Sequence, residues 1–280
     1  MSTAVTIVVC TRNRAAQLQR CLQAVDEIRA QRSWDLVVVN NGSTDSTEQL
    51  LAAHRPRRCR RFVTVYEARP GLGRARNAGW RRADTQLVAF TDDDCYPGED
   101  FVDKVAECFE EDRGLGFCGG RILLFDPSDC RITIQELDRH VDIAPRSFIQ
   151  AGLIQGANFT LRKDLLEEVG GFDDALGAGT PFPCEDVELL ARASAAGWRG
   201  AYDPRPMVYH HHGRKSHSDM YRLSRSYDYG RGAYYAKCLL HPRLRALYFL
   251  KWMRCAATQS PFTTVREIRG AGRYWLRSSA

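Results

Sequence analysis

An α/β fold built on a mostly parallel, doubly wound sheet is what the sequence predicts, and three observations predict it. The runs VTIVVC (5–10) and DLVVVN (35–40) are continuous and β-branched, as in parallel strands covered on both faces. Segments of helical periodicity separate the strand-like runs. The polar motifs TRNR, NNGSTD and TDDD each follow such a run, at the carboxyl ends where open α/β sheets bind ligands.

Taken in order, VTIVVC opens the sheet, and AAQLQRCLQAVDEIRA then places Leu18, Cys21, Leu22, Val25 and Ile28 at helical spacing. After DLVVVN, Asp45 followed by Glu48 suits a helix start for STEQLLAAH, although Asn41-Gly42 reads equally as a plain turn. RFVTVYEA and QLVAFT repeat the strand signal more weakly, on either side of a third helix in GRARNAGWRRA. Strand and helix thus alternate as a doubly wound sheet requires. Past Asp94 the rhythm changes. A helix over about 99–111 leads to LGFCGGRILLF, a polar stretch, GANFTLRKDLLEEVGGFD and the loop-helix segment GAGTPFPCEDVELLARASAAGW. The expected organisation is a body over 1–213, divided near residue 95, and a basic, mainly helical extension over 214–280.

The 280 residues are 44% hydrophobic, enough for one large α/β domain. The net charge of +6 is unevenly spread. From Arg214 onward there are 14 Lys and Arg against 3 Asp and Glu, whereas the preceding residues hold 26 against 31. The basic character therefore belongs to the extension. Ten cysteines form no CxxC pair, which points to free thiols in a reducing compartment. MSTAVTIVVCTRN has too short an apolar run and no basic start for a signal peptide, and no apolar run spans a bilayer. The expectation is a cytoplasmic protein, soluble or peripheral on the membrane face.

In LVAFTDDDCYPGED an apolar strand delivers Asp92, Asp93 and Asp94 to one point. Adjacent carboxylates repel unless a cation compensates them. A hard divalent cation does so while sharing its shell with substrate phosphates. A solvated acidic turn is the plainer alternative for these three residues alone, and the preceding buried-looking strand favours the cation.

The ordered set TRNR, VVVNNGSTDST, GLGRARNAGW, VAFTDDDCYP, GANFTLRKDLLEEVGGFDD, CEDVELLARASAAGW and VYHHHG resembles the family 2 glycosyltransferases of the GT-A fold, over residues 5 to 213. The resemblance implies a sugar moved from a nucleotide-diphosphate sugar to a hydroxyl of a glycan, lipid-linked or small-molecule acceptor. Residues 1–95 become the nucleotide-binding half and 96–213 the acceptor half. Asp92 and Asp93 would lie near the nucleotide and Asp94 would ligate Mn²⁺ or Mg²⁺. Thr11 and Arg12 would line the base pocket. Asn40 stands where the family usually has Asp; its amide oxygen still accepts a bond from uracil. A UDP-sugar is thus the favoured donor, with guanosine and thymidine in play. Arg76 and Asn77 match the family's ArN element beside the diphosphate, where a guanidinium neutralises phosphate. Asp186 would be the general base of an inverting in-line attack, with Glu185 orienting the acceptor. The plainer reading of this pair is acidic residues favoured by a helix dipole. His210 fits the metal-reaching histidine best by strand phase, with His212 on the same face as the fallback. Asn158 and the GGFD loop would frame the donor sugar or acceptor. Trp198 would stack on sugar or serve the core.

Two readings compete. A nucleotidyltransferase shares a nucleotide sheet and a metal carboxylate but leaves GGFDD and CEDVELL without a task. A polyanion-binding module would use RPRRCRR (55–61) and the basic tail, yet clustered arginines in one loop are usually a solvated face, so no nucleic-acid partner is expected. The segment LRALYFLKWMRCAA suits a helix packed on the body with its charges in water. Peripheral contact with an anionic membrane is the alternative.

Overall fold

In the computed structural model, which describes residues 4–278, nine strands and nine helices are assigned among the described residues. The first half alternates as the sequence predicts: β1 (Val5–Thr11), α1 (Ala15–Asp26), β2 (Trp34–Asn40), α2 (Thr47–Ala53), β3 (Arg61–Tyr66), α3 (Leu72–Trp80) and β4 (Leu87–Asp92). β1 pairs in parallel with β2 and β4, and β2 with β3. Both faces of β1, β2 and β4 are buried, whereas the edge strand β3 is only partly covered. Val5, Ile7 and Val9 of β1, with Leu36 and Val38 of β2, enter a core with α1. Their alternates Val8, Val37 and Val39 enter a second core with α3. A period of two with apolar residues in both phases is what a covered parallel sheet demands.

The second half is mixed, because its connections are short or its segments return in the opposite sense. It comprises β5 (Cys95–Pro97), α4 (Phe101–Glu111), β6 (Leu115–Leu124), β7 (Val141–Ile143), β8 (Asn158–Arg162), α5 (Lys163–Val169), α6 (Glu185–Ala196) and β9 (Arg199–His210). The sheet runs β3-β2-β1-β4-β8-β6-β9-β5, with β7 also on β9. β8 is antiparallel to β4 and β6, whereas β6 and β9 are parallel. The short β5 and β7 carry no pattern that distinguishes them from loop in the sequence.

Three helices follow: α7 (His217–Leu240), α8 (Arg245–Thr258) and α9 (Pro261–Ser278). A capping box between Ser216 and Asp219 starts α7. Tyr234, Tyr235 and Cys238 of α7 and Tyr248 of α8 join the second core, so the extension is packed onto the body. α9 lies against α7 so closely that a methyl on Gly232 would run into the Glu267 carbonyl, and one on Gly270 into that of Tyr229. All ten cysteines are free thiols. Among the described residues, no helix is long and apolar enough to cross a membrane.

Candidate active site

β1 and β4 end side by side, with Cys10 opposite Asp92, so TRNR and the three carboxylates meet at one edge of the sheet. There a cavity of about 730 Å³ opens. It is lined by Thr11 at the end of β1, Arg12 and Arg14 after it, Asn41 after β2, Arg76 of α3, Asp92, Asp93 and Asp94, Glu185 and Asp186 of α6, and His210 of β9.

The carboxylates are not left to repel one another. Thr11 Oγ1 donates to Asp93 Oδ2 at 2.7 Å. Arg14 lies 3.3 Å by Nε from Asp93 Oδ1 and donates through Nη2 to Asp94 Oδ2 at 2.6 Å. Burial pushes Asp93 up to about 7, against the pull of Arg14. Burial also works against Asp94, but His210 and Arg14 outweigh it and hold that carboxyl well below its usual range. The identity of β5 explains how His210 arrives. β5 pairs antiparallel with β9 in the register Cys95 to His210, and His211 N–H donates to the Asp94 carbonyl at 2.8 Å. His210 Nε2 therefore stands 3.4 Å from Asp94 Oδ1, its Nδ1 facing Thr133 Oγ1 at 3.3 Å. Burial opposes protonation of His210, yet Asp94 draws its pKa upward.

Asp94, Cys95 and His210 present donor atoms within 4.8 Å of one another. An oxygen and an imidazole nitrogen suit Mn²⁺ better than Mg²⁺. Cys95 contributes little to such a set, because burial raises its thiol well above the ordinary value and keeps it protonated. The side chains thus fit a divalent cation at Asp94 and His210. His212 points elsewhere: its Nε2 faces the Cys130 carbonyl at 3.0 Å and Nδ1 accepts from Arg214 N–H at 3.0 Å.

Opposite the carboxylates stands the first turn of α6. Arg76, 2% exposed, joins the two sides. Its Nη1 donates to Glu185 Oε1 at 2.6 Å, and its Nη2 to Asp92 Oδ1 at 3.2 Å and the Gly156 carbonyl at 2.9 Å. The guanidinium carbon lies 5.3 to 6.0 Å from the rings of Phe159, Phe172 and Phe90. Aromatic faces and three acceptors offset the cost of burying this cation. Burial raises Glu185 above the usual carboxylate range, and Asp186 adds to that while Arg76 opposes it. Asp186 accepts from Gly156 N–H at 2.7 Å through Oδ2 and from Val187 N–H at 2.7 Å through Oδ1.

Four of the sequence-predicted residues lie off this cavity, each for an identifiable reason. Asn40 spends Oδ1 on the Ser43 N–H, 2.9 Å away, closing the turn after β2. The neighbouring Asn41 reaches the cavity instead, accepting from Gly71 N–H and donating to the Glu67 and Arg69 carbonyls. Asn77 pins the GGFD loop: its Nδ2 donates to the Phe172 carbonyl and its Oδ1 accepts from Phe172 N–H and Trp80 Nε1. Asn158 donates to the carbonyls of Arg121 and Pro206, at the point where β6 and β9 slip register and leave those groups without ladder partners. Trp198 sits beyond the carboxyl end of α6, about 18 Å along the helix from Asp186, packed over Gly116 with Nε1 on Glu168.

Other lining residues were not legible as site residues. Arg14 closes the TRNR motif that the sequence places at the end of β1, but no short-range pattern marks it as the partner of Asp93 and Asp94. Arg214, Leu223, Ser226, Tyr227 and Arg231 also line the cavity. They come from α7 and the segment before it, so the extension supplies one wall. Burial raises the Tyr227 phenol, and the charges of Asp186 and Glu185 raise it further.

Among solved structures, the chain resembles the mannosyltransferase PcManGT of Pyrobaculum calidifontis, in complex with GDP-Man and Mn²⁺. The TM-score is 0.65 at 18% identity, covering 95% of this chain and 73% of that one. It also resembles TarS 1-349 of S. aureus in complex with UDP-GlcNAc, at a TM-score of 0.67 and 15% identity, covering 97% and 80%. These likenesses show the GT-A fold. In sequence, the chain is 26% identical over 204 residues to the glycosyltransferase AglE of Haloferax volcanii, covering 69% of this chain and 62% of AglE. It is 28% identical over 218 residues to the pre-mycofactocin glycosyltransferase of Mycobacterium tuberculosis, covering 74% of this chain and 43% of that protein. It thus spans less than two thirds of the length of either relative. A glycosyltransferase of Mycobacterium bovis is 31% identical over 211 residues, covering 70% of this chain and 81% of that protein. Residues 6–170, more than half of the chain, match the sequence profile of Glycosyl transferase family 2, and to that family the chain belongs.

Proposed function

We propose that this chain transfers a sugar from a nucleotide-diphosphate sugar to an acceptor hydroxyl, with inversion at the anomeric carbon. One observation carries the reading: Arg76 links Asp92 to Glu185, so the acidic end of β4 and the first turn of α6 face one cavity. In the proposed step the acceptor oxygen bonds to the anomeric carbon while the bond from that carbon to the diphosphate breaks. The nucleoside diphosphate leaves with the electron pair, and Asp186 takes the acceptor proton. With no second carboxylate needed as nucleophile, one displacement inverts the centre.

Thr11, Arg12 and Asn41 border the end of the cavity assigned to the nucleoside, and Asp92 and Asp93 the diphosphate side. Arg76 holds Asp92 and Glu185 in place from beneath, and Glu185 orients the acceptor side. Asp94 and His210 would hold Mn²⁺ or Mg²⁺; when bound, that ion offsets charge on the departing diphosphate. Solved neighbours hold UDP-GlcNAc and GDP-Man, which supports a nucleotide-sugar donor and leaves both bases in play. Residues 1–213 form the catalytic body, and α7 completes the cavity.

The test is acceptor-independent. The protein is incubated with a panel of UDP-, GDP- and dTDP-sugars with and without Mn²⁺, and thermal stabilisation and nucleoside diphosphate release are measured. Metal-dependent stabilisation by one base, with release that Asp186→Asn loses, is the expected result. No response to any donor, or equal release by Asp186→Asn, would overturn the reading.

A further inference from the structure

Thirteen large apolar side chains are exposed among the described residues, and eight of them lie on α8 and α9. They are ordered. On α9, Phe262, Val265, Ile268, Trp275 and Leu276 recur at helical spacing and are 43 to 77% exposed. The opposite side of the same helix carries Glu267, Gly270, Ala271 and Tyr274, all buried against the protein. On α8, Phe249, Leu250 and Met253 are each more than half exposed, while Tyr248 is buried. Both helices thus have their packing face satisfied and a second apolar face turned outward.

The charge beside these faces has one sign. From residue 241 onward the sole acidic residue is Glu267, and it is fully buried. It accepts from Arg231 Nε, Trp252 Nε1 and Gln259 Nε2, so it is spent inside. Exposed Arg245 and Arg254 flank the stripe of α8, and exposed Arg269, Arg273 and Arg277 that of α9. A helix packed only on its own protein needs one apolar face. An outward apolar stripe flanked by exposed guanidinium groups complements a surface that is greasy below and anionic above.

We infer that α8 and α9 dock this protein onto the headgroup layer of an anionic lipid bilayer, with the apolar stripes seated at the acyl boundary and the arginines among the phosphates. The contact lies in the interface plane and spans nothing. It is independent of the transfer reaction proposed above and is measured without substrate.

The test is flotation of the full chain with vesicles of phosphatidylcholine alone or with 30% phosphatidylglycerol, a composition on the order of natural anionic surfaces. The expected result is recovery with the anionic vesicles only, falling steeply with added salt. Phe262→Ser/Ile268→Ser/Leu276→Ser and, separately, Arg269→Glu/Arg273→Glu should each lower the recovered fraction about tenfold with unchanged circular dichroism and melting temperature. A third variant, Phe249→Ser/Met253→Ser, tests α8. Absence from the anionic vesicle layer, or equal recovery of wild type and both α9 variants, would overturn the inference. So would a stable dimer that buries these stripes and persists in excess vesicles, since a second copy would then be their partner.

Discussion

Arg76 and Glu185, 109 residues apart in sequence, meet at 2.6 Å in the floor of the cavity, with both side chains almost wholly buried. This ion pair fixes the distance between the two acidic groups of the site. It holds α3, which follows the glycine-rich turn, against the amino terminus of α6. Removing either partner leaves a buried charge uncompensated.

Arg76→Met therefore strands Glu185 and frees Asp92. Equilibrium urea unfolding should show a loss of about 3–5 kcal/mol. Arg76→Lys keeps the charge but lacks the planar fork that reaches Glu185, Asp92 and the Gly156 carbonyl together. It should recover part of the stability while activity stays at least about a hundredfold down.

The same burial makes stability depend on pH. Glu185 has its folded pKa raised from 4.5 to about 7, so the folded state binds the extra proton between those values. That contribution is complete below 4.5 and is lost as pH rises through 7. Melting temperatures in the presence of chelator should fall from pH 5 to pH 8. Glu185→Gln should show a shallower fall than wild type. A slope unchanged by that substitution would remove Glu185 as its source.

Asp94→Asn weakens the carboxylate that His210 faces. Mn²⁺-dependent thermal stabilisation by the preferred nucleoside diphosphate should disappear, and nucleotide-free stability at neutral pH should fall, because Arg14 and His210 favour the ionised carboxylate in the folded state. Substituting His212, which faces Cys130, should leave the metal dependence intact.

Asp186→Asn preserves shape and one of the two backbone N–H contacts, since an amide offers a single acceptor oxygen. Donor binding by calorimetry should match wild type, and turnover should fall about 10²- to 10⁴-fold, the range for a general base.

Gly232→Ala tests the seat of α9. The added methyl meets the Glu267 carbonyl, a backbone atom with nowhere to move. A loss of about 1–3 kcal/mol is expected by urea unfolding. Gly272→Ala, where nothing lies within reach, should be neutral or slightly stabilising.

Local pattern was enough for the first half of the sheet. VTIVVC and DLVVVN are apolar in both phases because helices cover both faces, and that demand is written residue by residue. It also placed TRNR and the three carboxylates at one edge, since parallel strands in register end together. The motifs CEDVELL and VYHHHG pointed to Asp186 and His210 only through their resemblance to a family.

Other features follow from long-range packing that no short window encodes. Asn40, Asn77 and Asn158 look like ligands in sequence, yet each satisfies backbone groups exposed by a turn, a loop or a register slip. Arg14 looks solvated, and only the height at which α1 starts brings it onto Asp93 and Asp94. Which histidine faces Asp94 was decided by the pairing of β5 with β9, a three-residue strand with no signature of its own. The wall built by α7 came from the fold of the extension onto the body, where Tyr234 and Tyr248 are buried. The sequence by itself determined which strands are buried and where their ends gather, because periodicity records burial. Tertiary structure alone decided which polar side chains stay free to face a ligand, because that depends on which distant backbone groups still need a partner.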